Sequence, residues 1–248
     1  MGYEYGVRST PDGYTLTIIS STYTVNPSFY PLKFDALADC TPISHLVKFP
    51  HVVVVHPSLP AKTIRELIAL AKANPGGITF GSSGQGAIIH LSTELFMDMA
   101  GIKMTHVPYR GGGPALNDVI AGQISLVFAP PQTGLPQVKA RRVRALAVTT
   151  KERLAAEPDI PSIAESGLAG FDLSSWHALI GPKGLPQAVV ERVNREIRRT
   201  LNSREVEERM QAAGVSSSPS TPEELHARLQ KEIAMWKHVV SRARIKIE

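Results

Sequence analysis

This chain is short of the residues and runs that usually announce chemistry. It has a single cysteine, Cys40, so no disulfide can close within it. No obvious catalytic partner stands near Cys40, and a quiet, half-buried thiol is expected. Aromatic residues make up only 6% of the chain, too few for a base-stacking platform. No apolar run approaches the roughly 18–20 residues that cross a bilayer. No Walker lysine follows a glycine loop, and His51 and His56 have no third ligand at metal-binding spacing. The N-terminus, Met1-Gly2-Tyr3-Glu4-Tyr5-Gly6, lacks a basic stretch followed by an apolar one, so no signal peptide is read in this chain. A secreted protein in mature form looks the same. The net charge is +5, but the basic residues are scattered. Their densest groups, Lys139-Arg141-Arg142-Arg144 and Arg192-Arg195-Arg198-Arg199, read as solvated faces rather than a nucleic-acid surface. Neither nucleic acid, metal nor cofactor is expected.

What is present centres on residues 78–91. Ile78 to Phe80 read as a short strand. Gly81-Ser82-Ser83-Gly84-Gln85-Gly86 form a tight turn, and from Ala87 the apolar residues Ile88, Leu91, Leu95, Phe96 and Met99 recur at helical spacing. A helix start offers unpaired N–H groups and partial positive charge, a natural seat for an anion. Ser82 and Ser83 add hydroxyls, and the glycines allow close approach to the backbone. Glycine loops also join strands to helices without binding anything. The order GxxGxG reverses the dinucleotide fingerprint, so a nucleotide is not indicated.

The rest of the chain alternates. Strands are expected at 14–20, 41–47, 51–57, 104–109, 124–128, 144–149 and 173–180. Between them Thr63 opens a helix with Glu66 three residues on, a capping box. A second glycine loop, Arg110-Gly111-Gly112-Gly113-Pro114, precedes another helix, and Ala129-Pro130-Pro131-Gln132-Thr133-Gly134 is read as a third loop. Residues 21–27 are read as a polar loop at a strand's end. Ser21, Thr22 and Thr24 are candidates there, for a ligand or for capping a short helix. Residues 152–170 read as an irregular connector. Helices are expected at 187–201, at 205–213 and from Thr221-Pro222 onward. Alternating strands and helices mean an α/β fold with a largely parallel sheet. The loops at Gly81, Arg110 and Ala129 then gather at one sheet edge. A crevice there, lined by backbone donors, hydroxyls and one arginine, suits a small carboxylate. Arg110 can pair with such a group or face solvent.

Together these residues resemble the Bug-type receptors of tripartite tricarboxylate transporters. The matching pieces are Pro11-Asp12-Gly13-Tyr14, Val54-Val55-His56-Pro57-Ser58, Ile64-Arg65-Glu66-Leu67, and the glycine loop with His90-Leu91. Next come His106-Val107-Pro108-Tyr109-Arg110-Gly111, Gly122-Gln123, Leu146-Ala147-Val148-Thr149 and Pro161-Ser162-Ile163-Ala164-Glu165-Ser166-Gly167. Trp176 and Thr221-Pro222-Glu223-Glu224 complete the set. The resemblance runs from about Pro11 to the C-terminus, and residues 1–8 do not match.

It implies a two-lobed periplasmic-binding-protein fold of type II, a Venus flytrap, with the first strand-loop-helix unit missing. One lobe would take residues 1–50 with 176–248, the other 51–175. It implies a periplasmic solute-binding receptor, not an enzyme, that hands a small carboxylate to membrane transporter subunits. By position, Ser82, Ser83, Gly84, Gly86, Ala87 and His90 would hold the carboxylate, Thr22 and Thr24 would face it from the other lobe, and Arg110 would take a second acid group. Two other readings stand beside this one. A truncated paralogue would bind nothing and act as a scaffold, pairing as a homodimer through an exposed sheet edge. A hydrolase would use Ser83 with His90, without a GxSxG elbow and without a clear acid to orient the histidine.

Overall fold

The computed structural model describes residues 2–243. In chain order its elements are α1 (Gly2–Arg8), β1 (Thr17–Ser20), α2 (Thr22–Val25), a 3-10 turn (Asn26–Ser28), β2 (Cys40–Phe49) and β3 (Val52–Val55). There follow α3 (Ile64–Ala73), β4 (Thr79–Ser82), α4 (Ile88–Ala100), β5 (Thr105–Pro108), α5 (Gly112–Ile120), β6 (Leu126–Ala129), α6 (Pro131–Lys139) and β7 (Arg144–Val148). The last are β8 (Ser175–Pro182), α7 (Gln187–Leu201), α8 (Arg204–Ala212), β9 (Ser216–Ser217) and α9 (Pro222–Ala243). The chain divides into two compact units. One takes in Met1–Lys48, Trp176–Met210 and Ser216–Glu248, as far as these are described. The other takes in Phe49–Ser175 and Gln211–Val215. That last segment runs from the end of α8 and precedes α9, yet belongs with the second unit.

The first unit is built on a four-stranded sheet in the order β1-β8-β2-β9. Alternation along β8 sends Trp176, Ala178 and Ile180 to one face. There they meet Ile19 of β1, Val7 of α1, Tyr23 of α2, and Leu225 and Leu229 of α9. The last two stand four residues apart, on one helical face. The other face of the sheet packs Ile43, Leu185 and Val190 with the partly buried Val193 and Ile197 of α7. Residues 21–27 are not a polar loop. They form α2 and the 3-10 turn, because Tyr23 and Val25 are drawn into the core (1% and 0% exposed) and the Tyr23 hydroxyl donates to Ala36 O at 3.0 Å. Burial of these two side chains outweighs the polar composition around them.

The second unit holds a five-stranded sheet in the order β5-β4-β6-β3-β7. β4 pairs parallel with both β5 and β6. β3 pairs antiparallel with β6 and with β7, so β7 runs with β4, β5 and β6. Every residue of β3 is fully buried, as its unbroken run of valines requires of a strand covered on both faces. Side chains alternate along β4. Phe80 stacks toward His90 of α4, whereas Gly81 faces α5, where an added Cβ would lie 2.9 Å from that of Ala115. Helices therefore cover both faces of β4. Residues 150–170 have no regular element, yet they are more than a connector. Val148 N–H donates to Pro161 O and Ile163 N–H to Val148 O at 2.9 and 3.0 Å. Ser162 and Ile163 are fully buried, so the segment acts as an outer rung beside β7.

Candidate functional site

Because β4, β5 and β6 are parallel, their C-terminal ends share one edge of the sheet, and α4, α5 and α6 begin there. The crossover from β4 leads through α4 to β5 on one side. The connection from β6 leads through α6 to β7 on the other. The crevice between β4 and β6 is thus a topological switch point, the place where open α/β sheets hold ligands. None of the three helices has a side-chain cap. Their N-cap residues are Ala87, Gly111 and Pro130, and none carries an acid in its first turn. Two helices elsewhere are capped, although α7, with Pro186 at its N-cap, is not. Thr63 accepts from Glu66 N–H at the start of α3. Thr221 and Glu224 cap α9 reciprocally at 3.2 and 2.9 Å. Three uncancelled helix starts give one edge of this sheet a concentration of partial positive charge.

The loop from β4 to α4 is held by its own groups. Gly84 and Gly86 have φ values of +130° and +68°, which suit glycine and few other residues. Ser82 is fully buried. Its Oγ accepts Gly84 N–H at 3.1 Å and lies 3.0 Å from Gly84 O and 2.7 Å from His106 Nε2. Ala87 N–H donates to Gly84 O at 3.2 Å. Gly86 N–H donates to His90 Nδ1 at 3.2 Å. An accepting Nδ1 puts the proton of a neutral ring on Nε2, which lies 3.3 Å from Glu94 Oε1. Beneath the loop the rings of Phe80, His106 and His90 stack, with centroids 4.9 and 4.0 Å apart. Burial, and after it the neighbouring His90, pushes the His106 pKa down to about 4, so the ring is neutral. A neutral imidazole suits a stack in which two histidines lie face to face.

These bonds decide which donors are left. The N–H groups of Gly84, Gly86 and Ala87 are all taken. The first helical bond of α4 runs from Leu91 N–H to Ala87 O. Ile89 and His90 N–H precede it and have no partner among the described residues, although both residues are about 5% exposed. The half-buried Ser83 hydroxyl has no partner there either. The open donors therefore are the Ser83 hydroxyl in the loop and two N–H groups in the first turn of α4, one step beyond it.

The other sequence candidates fall in different places. Arg110 follows β5, is exposed, and makes no ion pair among the described residues. Its neighbour Tyr109 is fixed. The Tyr109 hydroxyl donates to Asp118 Oδ2 at 2.6 Å, and burial, followed by that bond, pushes its pKa up to about 12. Tyr109 O lies 3.6 Å from where a Cβ on Gly84 would sit, so Arg110 emerges beside the glycine loop. Thr22 and Thr24 belong to the first unit, on α2. Thr24 is fully buried, and its hydroxyl lies 2.8 Å from Ser21 O and 3.1 Å from Glu232 Oε2. Ser83 and His90 are not hydrogen-bonded to each other, since both ring nitrogens of His90 are engaged elsewhere. His106 is the residue beneath this loop that sequence reasoning left without a role. The signal for it is the parallel register that sets His106 opposite Phe80.

Residues 2–245 match the model of the tripartite tricarboxylate transporter family receptor. The chain belongs to that family. The match reaches back through α1 to residue 2 instead of starting near Pro11. Among relatives of this receptor-family chain, BugT of Bordetella pertussis is 32% identical over 251 residues, spanning 100% of this chain and 77% of BugT. The solved structure of R. palustris Rpa4515 with adipate superposes with a TM-score of 0.94 at 30% identity, covering 98% of this chain and 82% of that one. The periplasmic binding protein BugD superposes at 0.93 with 28% identity, covering 100% and 84%. The two α/β units are those of a periplasmic binding protein, and this receptor family is one of solute binders.

Proposed function

We propose that this chain is a periplasmic receptor that binds a small carboxylate at the C-terminal edge of β4, β5 and β6 and delivers it to a tripartite tricarboxylate transporter. One observation carries the reading. The buried first turn of α4 presents Ile89 and His90 N–H without partners, without a capping side chain and without an acid in that turn. A carboxylate satisfies both donors. Hydrogen bonds to a charged group contribute about 1.5–3 kcal/mol each, so several neutral donors can hold an anion without an opposing charge. Ser83 adds a hydroxyl. Ser82, Gly84, Gly86, Ala87 and the His90 ring shape the seat from below. Arg110 stands where a second acid group of a dicarboxylate would reach. The likeness to a protein solved with adipate supports that class of ligand. Thr24, already held beside Glu232, stays with the core of its own unit in this reading.

The test is ligand-induced thermal stabilisation with C4 to C6 dicarboxylates, adipate included, against monocarboxylates and neutral diamides. A competent receptor gains about 2.7 kcal/mol at a hundredfold excess over Kd, a rise of several degrees. No shift with any acid would rule the reading out.

A second reading rests on β1. Among the described residues it pairs with β8 alone, and its Ile18 is 63% exposed, so its outer edge suits strand pairing with a second copy of the chain. A concentration-dependent dimer in light scattering that ignores every acid would favour a non-binding scaffold.

A further inference from the structure

The strongest unassigned feature lies at the opposite edge of the five-stranded sheet. β3 runs against its neighbours, so its C-terminal end meets the start of β7, where Val55 pairs with Arg144. A cavity of about 760 Å3 opens there, between the loop after β3, the start of α3, the end of α6 and the segment after β7. That is the size of a small-molecule site. Its lining includes the apolar Val143 and Leu146, both buried. Four cations also line it: Lys62, Arg65, Arg141 and Arg144. Two carboxylates face them, Asp159 and Glu165. Glu165 is already committed to Arg153 at 2.9 Å and to Ser162 N–H at 2.9 Å.

The cations are positioned without being neutralised. Arg144 is half-buried, and its guanidinium donates to three backbone carbonyls: Ala61 O at 3.0 Å, Pro57 O at 3.2 Å and Leu59 O at 3.3 Å. Arg65 Nε donates to Ser166 O at 3.2 Å. Among the described residues none of the four has a carboxylate within ion-pair distance. Carbonyls fix a guanidinium in place but leave its charge for another partner, and a planar fork held in this way suits a carboxylate or phosphate. Arg141 adds an independent sign. It sits just past α6 with φ +57°, the one non-glycine residue with positive φ among those described. Glycine is the usual occupant of that position, and a side chain there is held at a cost. The costly residue is one that places a cation in the cavity wall.

We propose that this cavity is a second ligand site, separate from the glycine loops, that takes an organic dianion: a compact apolar body bearing two carboxylate charges or a phosphate. The apolar wall would take the body, and Arg65, Arg141 and Arg144 the charges.

The experiment is isothermal titration of the full chain with phthalate and with phenyl phosphate, with benzamide as the neutral control. At least one dianion binds saturably and more weakly as salt is raised, and benzamide does not bind. Tighter phthalate binding assigns the site to dicarboxylates, and tighter phenyl phosphate binding to phosphate esters. The double variant Lys62→Gln, Arg141→Gly removes two cations and restores glycine at the strained position, so it folds. It lowers dianion affinity by about tenfold or more and leaves the response to adipate unchanged. Ala87→Ser, at the other edge, lowers the response to adipate and leaves the affinity of this cavity for its dianion unchanged. The proposal is overturned if neither dianion binds saturably, if the double variant binds as well as the parent, or if the loss follows Ala87→Ser instead. That last result would put the dianion on the glycine loop.

Discussion

Ser82 and Ser83 carry the same hydroxyl in opposite situations. Ser82 is fully buried, and its Oγ lies among Gly84 N–H, Gly84 O and His106 Nε2. Ser83 is half-buried and makes no such bonds. Replacing Ser82 with alanine strands the half-buried Gly84 N–H and His106 ring nitrogen, at a cost of up to about 1–3 kcal/mol each. Ser82→Ala should therefore lower the melting temperature markedly and weaken ligand only as the loop loosens. Ser83→Ala should leave stability within about 0.5 kcal/mol and weaken carboxylate binding directly. Calorimetric melting and titration with the best acid, on both variants, separate the two effects. Equal behaviour of the pair would show that the hydroxyls share one role. Gly81 makes the same point for packing. A Cβ there would meet Ile124 Cδ1 at 2.6 Å and Ala115 Cβ at 2.9 Å, so Gly81 reads as a close strand–helix approach and not as a ligand contact.

At the scale of elements, α3 and α9 carry caps and the three helices that begin at the crevice do not, although α7 of the first unit is uncapped as well. α3 has its threonine cap, and Thr63→Ala should cost about 1 kcal/mol without touching ligand. α4 has Ala87 at its N-cap and gives that stabilisation up. Ala87→Ser would let a side-chain oxygen accept from His90 N–H. It should raise stability by about 0.5–1 kcal/mol and lower carboxylate affinity, because the serine takes a donor the ligand uses. A stabilised variant with undiminished affinity would show that the ligand does not sit on this turn.

Periodic elements with local end signals were legible. The pattern over 187–201 gives α7 to the residue, and the Thr63–Glu66 box marks where α3 opens. Two loops were misread because their order comes from outside the segment or from proline chemistry. α2 folds because Tyr23 and Val25 are needed in the core. Residues 130–134 are the start of α6, with Pro131 in its first turn, where a missing N–H costs nothing. The glycine loop was legible as a strand, turn and helix start, but its internal bonds were not. They depend on the register of β4 against β5, which brings His106 to Ser82 and which no local pattern encodes.

Over the whole molecule, buried histidines couple stability to pH. His45 donates from Nδ1 to Ser218 O at 2.9 Å, and burial, then Arg228 nearby, pushes its pKa down to about 4. Burial alone does the same to His51, whose Nε2 lies 3.0 Å from Ser175 Oγ, and His106 is pushed to about 4 as well. Unfolded, each returns to about 6.5. Between those values the unfolded chain binds protons that the folded chain refuses, so stability is full above about pH 6.5 and falls as pH drops toward 4. The slope is about 1.4 kcal/mol per pH unit for each proton, which puts the loss from the well-buried His45 and His51 on the order of 2–3 kcal/mol each. His45 belongs to the first unit and the other two to the second, so both units should weaken together in acid. Melting temperatures measured from pH 8 to 4 should be flat at first and then fall. In His51→Gln, a neutral side chain without a proton to gain, the curve below pH 6.5 should be shallower, whatever that substitution does to stability at pH 8. An unchanged slope in His51→Gln would mean that His51 takes up its proton without unfolding the unit around it.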